Sequence, residues 1–306
     1  MVKLKSIKLG DTIGIVSPSS AEYPEKIQKG IAELKSLGFK VKEGKFIYKR
    51  KGYLAGEDYE RASDLMNMFM DPSVDMILCV RGGYGAMRIL PYLNFHKIKK
   101  NPKIFMGFSD ITVLLNTINS KCGFPTFHGP MGTSNLTDKY TLKSFLDTIL
   151  NKLPNNMIEN PREVPYTTFK EGIAEGNLVG GNLCLICSTL GTPYEINTKN
   201  KILFLEDVGE APYKIDRMLT QLLLANKLQQ CSAIILGQFT NCTLQHYERS
   251  LTLEQVFEDR LKDLNIPILK DFATGHSYPK LTLPIGPKVR LNTCSGCIEL
   301  LNNLFK

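Results

Sequence analysis

The stretch Met76-Ile-Leu-Cys-Val80-Arg-Gly-Gly-Tyr-Gly85 is an apolar run that ends in a glycine-rich turn. The run has no polar alternation, which is typical of a strand buried on both faces of a parallel sheet. The same order recurs at Ile104-Phe-Met-Gly107, where Phe108-Ser-Asp110 and an apolar helix follow. Repeated β-α-β units of this kind predict an open parallel sheet with helices on both faces.

Upstream segments extend the alternation toward the start of the chain. Thr12–Val16 has the pattern of a short buried strand, and Pro24 suits the first position of a helix that Gly38 would end. Phe39–Val41 then restarts a strand, and Glu57–Met70 has the pattern of a second helix. The expected fold is α/β, of the flavodoxin-like or glutaminase-like kind.

The second half of the chain has a different texture. We expect an N-terminal domain at residues 1–150, a linker at residues 151–165 that is rich in Asn and Pro, and a C-terminal domain at residues 166–306. Strand patterns such as Lys201–Leu205 and Ala233–Leu236 outnumber helical ones there. The C-terminal domain is therefore expected to be β-rich.

Composition narrows the classes of function. The 306 residues carry 38 Lys and Arg against 30 Asp and Glu, and 38 − 30 gives a net charge of +8. The basic residues are scattered, so no nucleic-acid partner is expected. No apolar run approaches the ~18 residues of a membrane span, and the start lacks the apolar core of a signal peptide. These features predict a cytoplasmic protein with no membrane partner.

Two neighbouring turns hold candidate reactive groups. Ser109, between a buried strand and an apolar helix, would expose its hydroxyl beside backbone N–H donors. Taken alone, Gly107-Phe-Ser-Asp110 favours a simpler interpretation, in which Ser109 and Asp110 cap the helix. The glycines of Arg81–Gly85 occupy the equivalent turn one strand earlier, at the same carboxyl edge, where ligands bind.

Carboxylates and histidines supply the candidate bases. Glu206 and Asp207 are expected at the end of the strand Lys201–Leu205, where they could orient a histidine or form a solvated loop. His276 lies in a loop between Gly275 and Ser277 and suits a catalytic base. The other three histidines are weaker candidates: His96 and His246 lie in charged stretches, and His128 has a structural context.

Cysteines form two C-x-x-C pairs, Cys184/Cys187 and Cys294/Cys297. A zinc site would have to join them across the 106 residues between Cys187 and Cys294, which is far longer than a zinc-ribbon insert. The first pair lies in the apolar run Leu183–Cys187, where cysteine acts as a small hydrophobic residue. No metal is expected.

The order of these features is more specific than any one of them. It closely resembles the LD-carboxypeptidases of serine peptidase family S66 from about Gly10 to Asn292. The segments that carry the resemblance are, in order, Arg81-Gly-Gly-Tyr-Gly85, Gly107-Phe-Ser-Asp-Ile111, Phe127-His-Gly-Pro130, Gly180-Gly-Asn182, Leu205-Glu-Asp-Val-Gly-Glu210, Tyr213-Lys-Ile-Asp-Arg217 and Gly275-His276.

The resemblance implies a catalytic triad shared by two domains. Ser109 would be the nucleophile, His276 the base, and Glu206 the carboxylate that orients the imidazole. The oxyanion hole would be formed by the backbone N–H of Asp110 and of a glycine in the Arg81–Gly85 loop.

Further roles follow from the same resemblance. The glycine of the oxyanion hole is Gly82 or Gly83, with Gly83 preferred. A carboxypeptidase must also hold the free carboxylate of its substrate, and Arg81, by its position, is the first candidate for this contact and Arg217 the second. A structural ion pair is the alternative role of either arginine. Tyr84 is a further substrate-binding candidate. The resemblance also implies a homodimer and no cofactor.

The implied activity is metal-free hydrolysis of the L,D-peptide bond that holds the terminal D-alanine of a murein tetrapeptide, a step of peptidoglycan recycling. Three alternatives stay open. The same site could act on peptidyl- or aminoacyl-nucleotides, as the microcin C immunity peptidases of the family do. The glycine loop could belong to a non-enzymatic ligand-binding protein, or the cysteine pairs to a thiol or zinc enzyme.

Overall fold

The computed structural model describes residues 2–244 and 247–306, so His246 lies outside the described residues. The chain divides into two compact units. The first comprises the chain up to Pro154 together with Thr282–Pro287 and Asn303–Lys306, and the second comprises Asn155–Leu281 and Lys288–Asn302.

The strands are, in chain order, Thr12–Val16 (β1), Lys40–Glu43 (β2), Met76–Cys79 (β3), Ile104–Gly107 (β4), Thr126–His128 (β5), Met157–Glu159 (β6), Thr167–Lys170 (β7), Ile173–Asn182 (β8), Lys201–Val208 (β9), Ala233–Thr240 (β10), Ile268–Lys270 (β11), Leu283–Ile285 (β12), Lys288–Asn292 (β13) and Cys297–Leu300 (β14). The helices are Pro24–Ser36 (α1), Asp58–Met70 (α2), Ala86–Ile89 (α3), Phe95–Lys100 (α4), Thr112–Cys122 (α5), Lys139–Ile149 (α6), Leu183–Ser188 (α7), Pro212–Leu224 (α8) and Leu253–Leu261 (α9).

The first unit contains a six-stranded sheet in the order β12-β5-β4-β3-β1-β2. Its strands are parallel except β12, which pairs antiparallel with β5. Every residue of β3 and β4 is buried, as their apolar sequences predict. The open, mostly parallel sheet predicted from the sequence is confirmed.

The second unit contains an eight-stranded sheet in the order β6-β14-β13-β8-β9-β10-β11-β7. The four strands β8 to β11 are parallel, and the outer pairs are antiparallel. Apolar residues of α7, α8 and α9 pack against the parallel strands in one core, which includes Leu183, Leu219, Phe257 and Leu205. The prediction of a β-rich second domain is confirmed.

Several elements differ in extent from the sequence-based expectation. The helix α3, which follows the glycine-rich turn, ends at Ile89, since Pro91 allows only a 3₁₀ turn beyond it. The segment expected as a linker contains β6, which pairs with β14. Thr282–Pro287 returns to the first unit because β12 completes its sheet beside β5.

Within the described residues, the longest helices have 13 residues, and none is long and apolar enough to cross a membrane.

Candidate functional site

Ser109 lies at a sharp turn between β4 and α5. Its φ of 62° places it in the left-handed region, which a residue with a side chain rarely adopts. Gly107 makes the turn possible because a Cβ there would lie 2.9 Å from the side chain of Ile111. The conformation resembles the strand-to-helix turns that present nucleophilic serines, and Ser109 remains half-exposed.

The capping interpretation of Ser109 and Asp110 is wrong. The residue that precedes α5 is Ile111, and Ser109 to Ile111 form a separate 3₁₀ turn. The Asp110 carboxylate instead accepts hydrogen bonds from Ser19 Oγ at 2.5 Å and from the backbone N–H of Ala86 at 2.8 Å. Burial raises the pKa of Asp110, against the effect of these hydrogen bonds.

The glycine loop comes very close to Ser109. A Cβ added to Gly82 would lie 2.8 Å from Ser109 Cβ, 3.1 Å from its Oγ and 3.3 Å from the backbone nitrogen of Asp110. Gly83 has a φ of 117°, and a Cβ there would instead collide with Ser20. Gly82 therefore borders the serine turn, as expected for turns at the carboxyl ends of adjacent strands.

A buried arginine holds the glycine loop, residues Arg81–Gly85, in place. Arg61, on α2, is 1% exposed, and its Nη1 donates to the carbonyls of Pro18 at 2.5 Å and Gly85 at 2.8 Å. Together with Asp110 it ties the loop after β1 to the loop after β3. Sequence reasoning missed Arg61 because its place on an amphipathic helix indicates a surface residue. Nothing in the sequence around Arg61 indicates its hydrogen bonds to the carbonyls of Pro18 and Gly85.

The predicted substrate-binding residues of the first unit have different surroundings. The Arg81 guanidinium contacts Glu22 at 3.3 Å and donates to the carbonyl of Gly82 at 3.2 Å, so part of it holds the loop. Tyr84 is 51% exposed, and its ring meets that of Tyr53 edge-to-face at 5.6 Å. Tyr53 is a further candidate that sequence reasoning missed.

Glu206 and His276 come together in the second unit. The Oε2 atom of Glu206 lies 2.7 Å from Nδ1 of His276, and the glutamate is fully buried. Glu206 and Asp207 lie inside β9, which continues to Val208, and not at a strand end as expected. A buried carboxylate on a rigid strand fixes the direction of the imidazole better than one on a loop.

The loop that carries His276 is fastened to β10. The backbone N–H of Ser277 donates to Gln238 Oε1 at 2.9 Å, and the hydroxyls of Ser277 and Thr240 are 2.7 Å apart. Thr274 Oγ1 donates to the carbonyl of Leu281 at 2.8 Å, which closes the loop on itself. These hydrogen bonds therefore hold the loop, and with it the imidazole of His276, in a defined position.

The Gly180-Gly-Asn182 motif positions the carboxylate of Asp207, the residue next to Glu206. Gly180 has a φ of 127°, and a Cβ there would collide with the carbonyl of Phe204 on the paired strand. Asn182 Nδ2 donates to Asp207 at 3.0 Å, while its Oδ1 accepts from the N–H of Leu185 in α7. Burial raises the pKa of Asp207 to about 6. The motif is explained by packing and by a hydrogen bond to the residue beside Glu206.

The remaining candidates have varied surroundings, and His128 lies next to the serine turn, since it pairs with Gly107 and its ring centre lies 5.9 Å from that of Phe108. Arg217, on α8, and His96, on α4, are exposed, while His128 is buried in β5. Of the cysteine pairs, Cys187 and Cys297 are buried, Cys184 is half-buried and Cys294 is exposed. Residues 2–244 and 247–306 contain no group of three or more His, Cys, Asp or Glu that could hold a metal ion.

Gly82→Ala should damage catalysis much more than folding. The added methyl group would press on Ser109 and on the N–H of Asp110, since both lie within 3.3 Å of its position. We expect kcat to fall on the order of 10²–10³, the loss typical of removing one oxyanion donor. Thermal unfolding and kcat of the purified variant would be measured together. Unchanged kcat would show that this close approach has no catalytic role.

Comparison with known proteins shows the family to which the chain belongs. Residues 13–129 match the LD-carboxypeptidase N-terminal domain of peptidase family S66, and residues 175–291 match its C-terminal domain. The probable murein peptide carboxypeptidase of Bacillus subtilis is 44% identical over 294 residues, which cover 95% of this chain and 92% of that protein.

Solved structures show the same fold over nearly the whole chain. The crystal structure of muramoyltetrapeptide carboxypeptidase from Oxalobacter formigenes has a TM-score of 0.82 and 31% identity, with 94% of this chain and 97% of that chain covered. MccF in complex with glutamyl sulfamoyl guanosine has a TM-score of 0.92 and 26% identity, with both chains fully covered. The chain therefore belongs to the LD-carboxypeptidases of peptidase family S66, and it is a hydrolase of the carboxypeptidase class.

Proposed function

We propose that the protein is a serine carboxypeptidase that releases the terminal D-alanine of murein tetrapeptides without a metal ion. The observation that carries this proposal is the buried pair of Glu206 Oε2 and His276 Nδ1, 2.7 Å apart. Such a pair is the base-and-orienter half of a serine triad. The strained turn at Ser109 supplies a nucleophile of the matching kind.

The chemistry follows from which atom of the imidazole is occupied. Because Nδ1 faces the Glu206 carboxylate, it carries the proton, and Nε2 acts as the base. Nε2 accepts the proton of Ser109 Oγ while Oγ attacks the carbonyl of the L-centre that precedes D-alanine. The protonated imidazole then gives its proton to the departing amine, and water hydrolyses the acyl-enzyme by the same route.

The negative charge that develops on the carbonyl oxygen needs donors already in place. We assign this role to the N–H of Asp110 and to a glycine N–H of the loop, that of Gly83 or Gly82. The closeness of Gly82 to both Ser109 and the Asp110 nitrogen supports this assignment. Each such donor typically contributes on the order of 10²–10³ in rate. Serine, histidine and backbone donors complete the reaction without a Lewis acid.

A carboxypeptidase must also recognise the free carboxylate at the end of its substrate. Arg81 leads the glycine loop and is the first candidate, since an arginine can bind a carboxylate with two hydrogen bonds. Its Nε atom donates to Gly82 and its Nη1 atom to Ala21 and Glu22, so Nη2 is the nitrogen that would make this contact. Arg217, exposed on α8, is the second candidate. Tyr84, exposed on the glycine loop, is a candidate contact for another part of the substrate.

A peptidyl-nucleotide is the alternative substrate. The match to MccF over its full length favours it, whereas the higher identity to the murein peptide carboxypeptidase of Bacillus subtilis favours the tetrapeptide. The two are separated by measuring kcat/KM for a murein tetrapeptide and for an aminoacyl sulfamoyl-adenosine with one enzyme preparation. We expect the tetrapeptide to be the better substrate, and the reverse order would overturn that choice.

A further inference from the structure

Lys280 is a buried lysine on the loop that carries His276. It is 1% exposed, and its Nζ donates a hydrogen bond to the carbonyl of Gly275, the residue immediately before His276. Lysine is almost never fully buried unless it is paired with another group. The burial of the Lys280 ammonium therefore indicates a structural or functional role that a solvated surface lysine would not have.

The groups around Lys280 include the catalytic carboxylate. The charge of Glu206, on β9, attracts the ammonium of Lys280, and Glu206 is itself bonded to His276. On its own loop, the Nζ atom lies 5.4 Å from the centre of the Tyr278 ring. From β10, the uncharged side chain of Gln238 donates to the carbonyl of Pro279 at 3.0 Å and holds the loop next to the lysine.

A fully buried carboxylate is costly unless a positive charge or hydrogen bonds compensate it. Asp207, the next residue on β9, adds negative charge beside Glu206 and makes this cost larger. The ammonium of Lys280 reduces it. The same ammonium fixes the carbonyl from which the backbone continues into His276.

We propose that Lys280 is a positioning residue for the Glu206–His276 pair, because its ammonium both compensates the buried carboxylate and holds the backbone beside the imidazole. The proposal rests on the proposed function, in which Glu206 orients His276 as the base. It makes activity depend on the charge of Lys280 and not only on its bulk.

The charge of Lys280 should be lost in an accessible pH range. Burial lowers the pKa of Lys280 to about 8, although Glu206 acts in the opposite direction. The ammonium is therefore present below about pH 8 and is lost as the pH rises through that value. Wild-type kcat/KM should fall over the same range.

Lys280→Met tests the charge with little change in side-chain volume. Its kcat/KM at neutral pH should be about 10- to 100-fold lower than that of the wild type. An effect of this size is typical of groups that orient a metal-bound histidine, and Lys280 would act on the catalytic histidine in a comparable way. The loss should be in kcat rather than KM. The variant should also lack the decline near pH 8, so that the two profiles converge at higher pH, where wild-type Lys280 is uncharged.

Lys103→Met is the matched control. Lys103 is a half-buried lysine of the first unit, whose pKa burial also lowers to about 8, and its Nζ donates to backbone carbonyls at the end of α2, including that of Met68 at 2.8 Å. This variant should keep the wild-type pH profile. A wild-type decline in Lys280→Met, or its loss in Lys103→Met, would overturn the proposal.

Two further measurements keep the outcome clear. If Lys280→Met fails to fold, Lys280→Arg, which keeps its charge at high pH, should remain active above pH 8, and an unchanged decline would count against the proposal. The rate at which a fluorophosphonate labels Ser109 reports on the triad without any substrate. Labelling that declines near pH 8 in an enzyme that leaves the tetrapeptide intact would reject the proposed substrate and support Lys280. If Ser109 is not labelled, both proposals are wrong.

Discussion

Ser109→Ala should lower kcat on the order of 10⁴–10⁶ while the protein stays folded. In the proposed mechanism, the hydroxyl of Ser109 is the group that forms a covalent bond with the substrate. Its removal cannot relieve the turn, since alanine meets the same left-handed backbone at a φ of 62°. The measurements are the thermal unfolding of the variant and its rate of D-alanine release under saturating substrate. We expect an unfolding temperature close to that of the wild type together with the large loss of kcat.

Ser120→Ala is the control for this variant. Ser120 lies on α5, the helix that follows the Ser109 turn, and its hydroxyl donates to the carbonyl of Thr117 at 3.1 Å. We expect wild-type kcat. Near-normal turnover by Ser109→Ala would show that Ser109 is not the nucleophile.

Glu206→Gln should lower kcat on the order of 10⁴, as expected when a triad carboxylate is replaced by its amide. The amide keeps the shape of the side chain, but it can present an N–H to Nδ1 of His276 in place of an oxygen. The proton of the imidazole would then move to Nε2, the atom that must accept the proton of Ser109. The measurement is kcat, with thermal unfolding recorded for the same preparation.

Glu254→Gln separates this effect from a general loss of negative charge. Glu254 lies on α9 of the same unit, its side chain is 66% exposed, and it pairs with Lys270. The Glu254 carboxylate is exposed, and Lys270 keeps a second carboxylate, that of Asp271, at 3.6 Å, so we expect activity within a factor of about two. Equal activities of the two glutamine variants would contradict the role of Glu206.

Much of the fold follows from local patterns in the sequence. Buried strands such as Ile104–Gly107 have no alternation because both of their faces are covered, and that signal needs no tertiary information. The position of Ser109 after such a strand places it at the carboxyl edge of the sheet. The pairing of Glu206 with His276, which the family resemblance implies, is present in the second unit. The homodimer and the cytoplasmic location stay predictions.

The supports of the site could not be predicted, because they join segments that are far apart in the sequence. Arg61 and Asp110 satisfy backbone groups of loops that only the folded sheet brings together. Lys280 has the sequence context of an ordinary loop lysine, and only burial reveals its relation to Glu206. The extension of β9 through Glu206 depends on its pairing with β8 and β10, which compensates for the low strand propensity of two acidic residues.

Mass spectrometry of a purified disaccharide-tetrapeptide after incubation with the enzyme and EDTA tests the central claim most directly. We expect the muropeptide to lose one terminal alanine residue at the same rate with and without EDTA, and we expect Ser109→Ala to leave it intact. An unchanged muropeptide, or alanine release that EDTA abolishes, would contradict a metal-free serine carboxypeptidase.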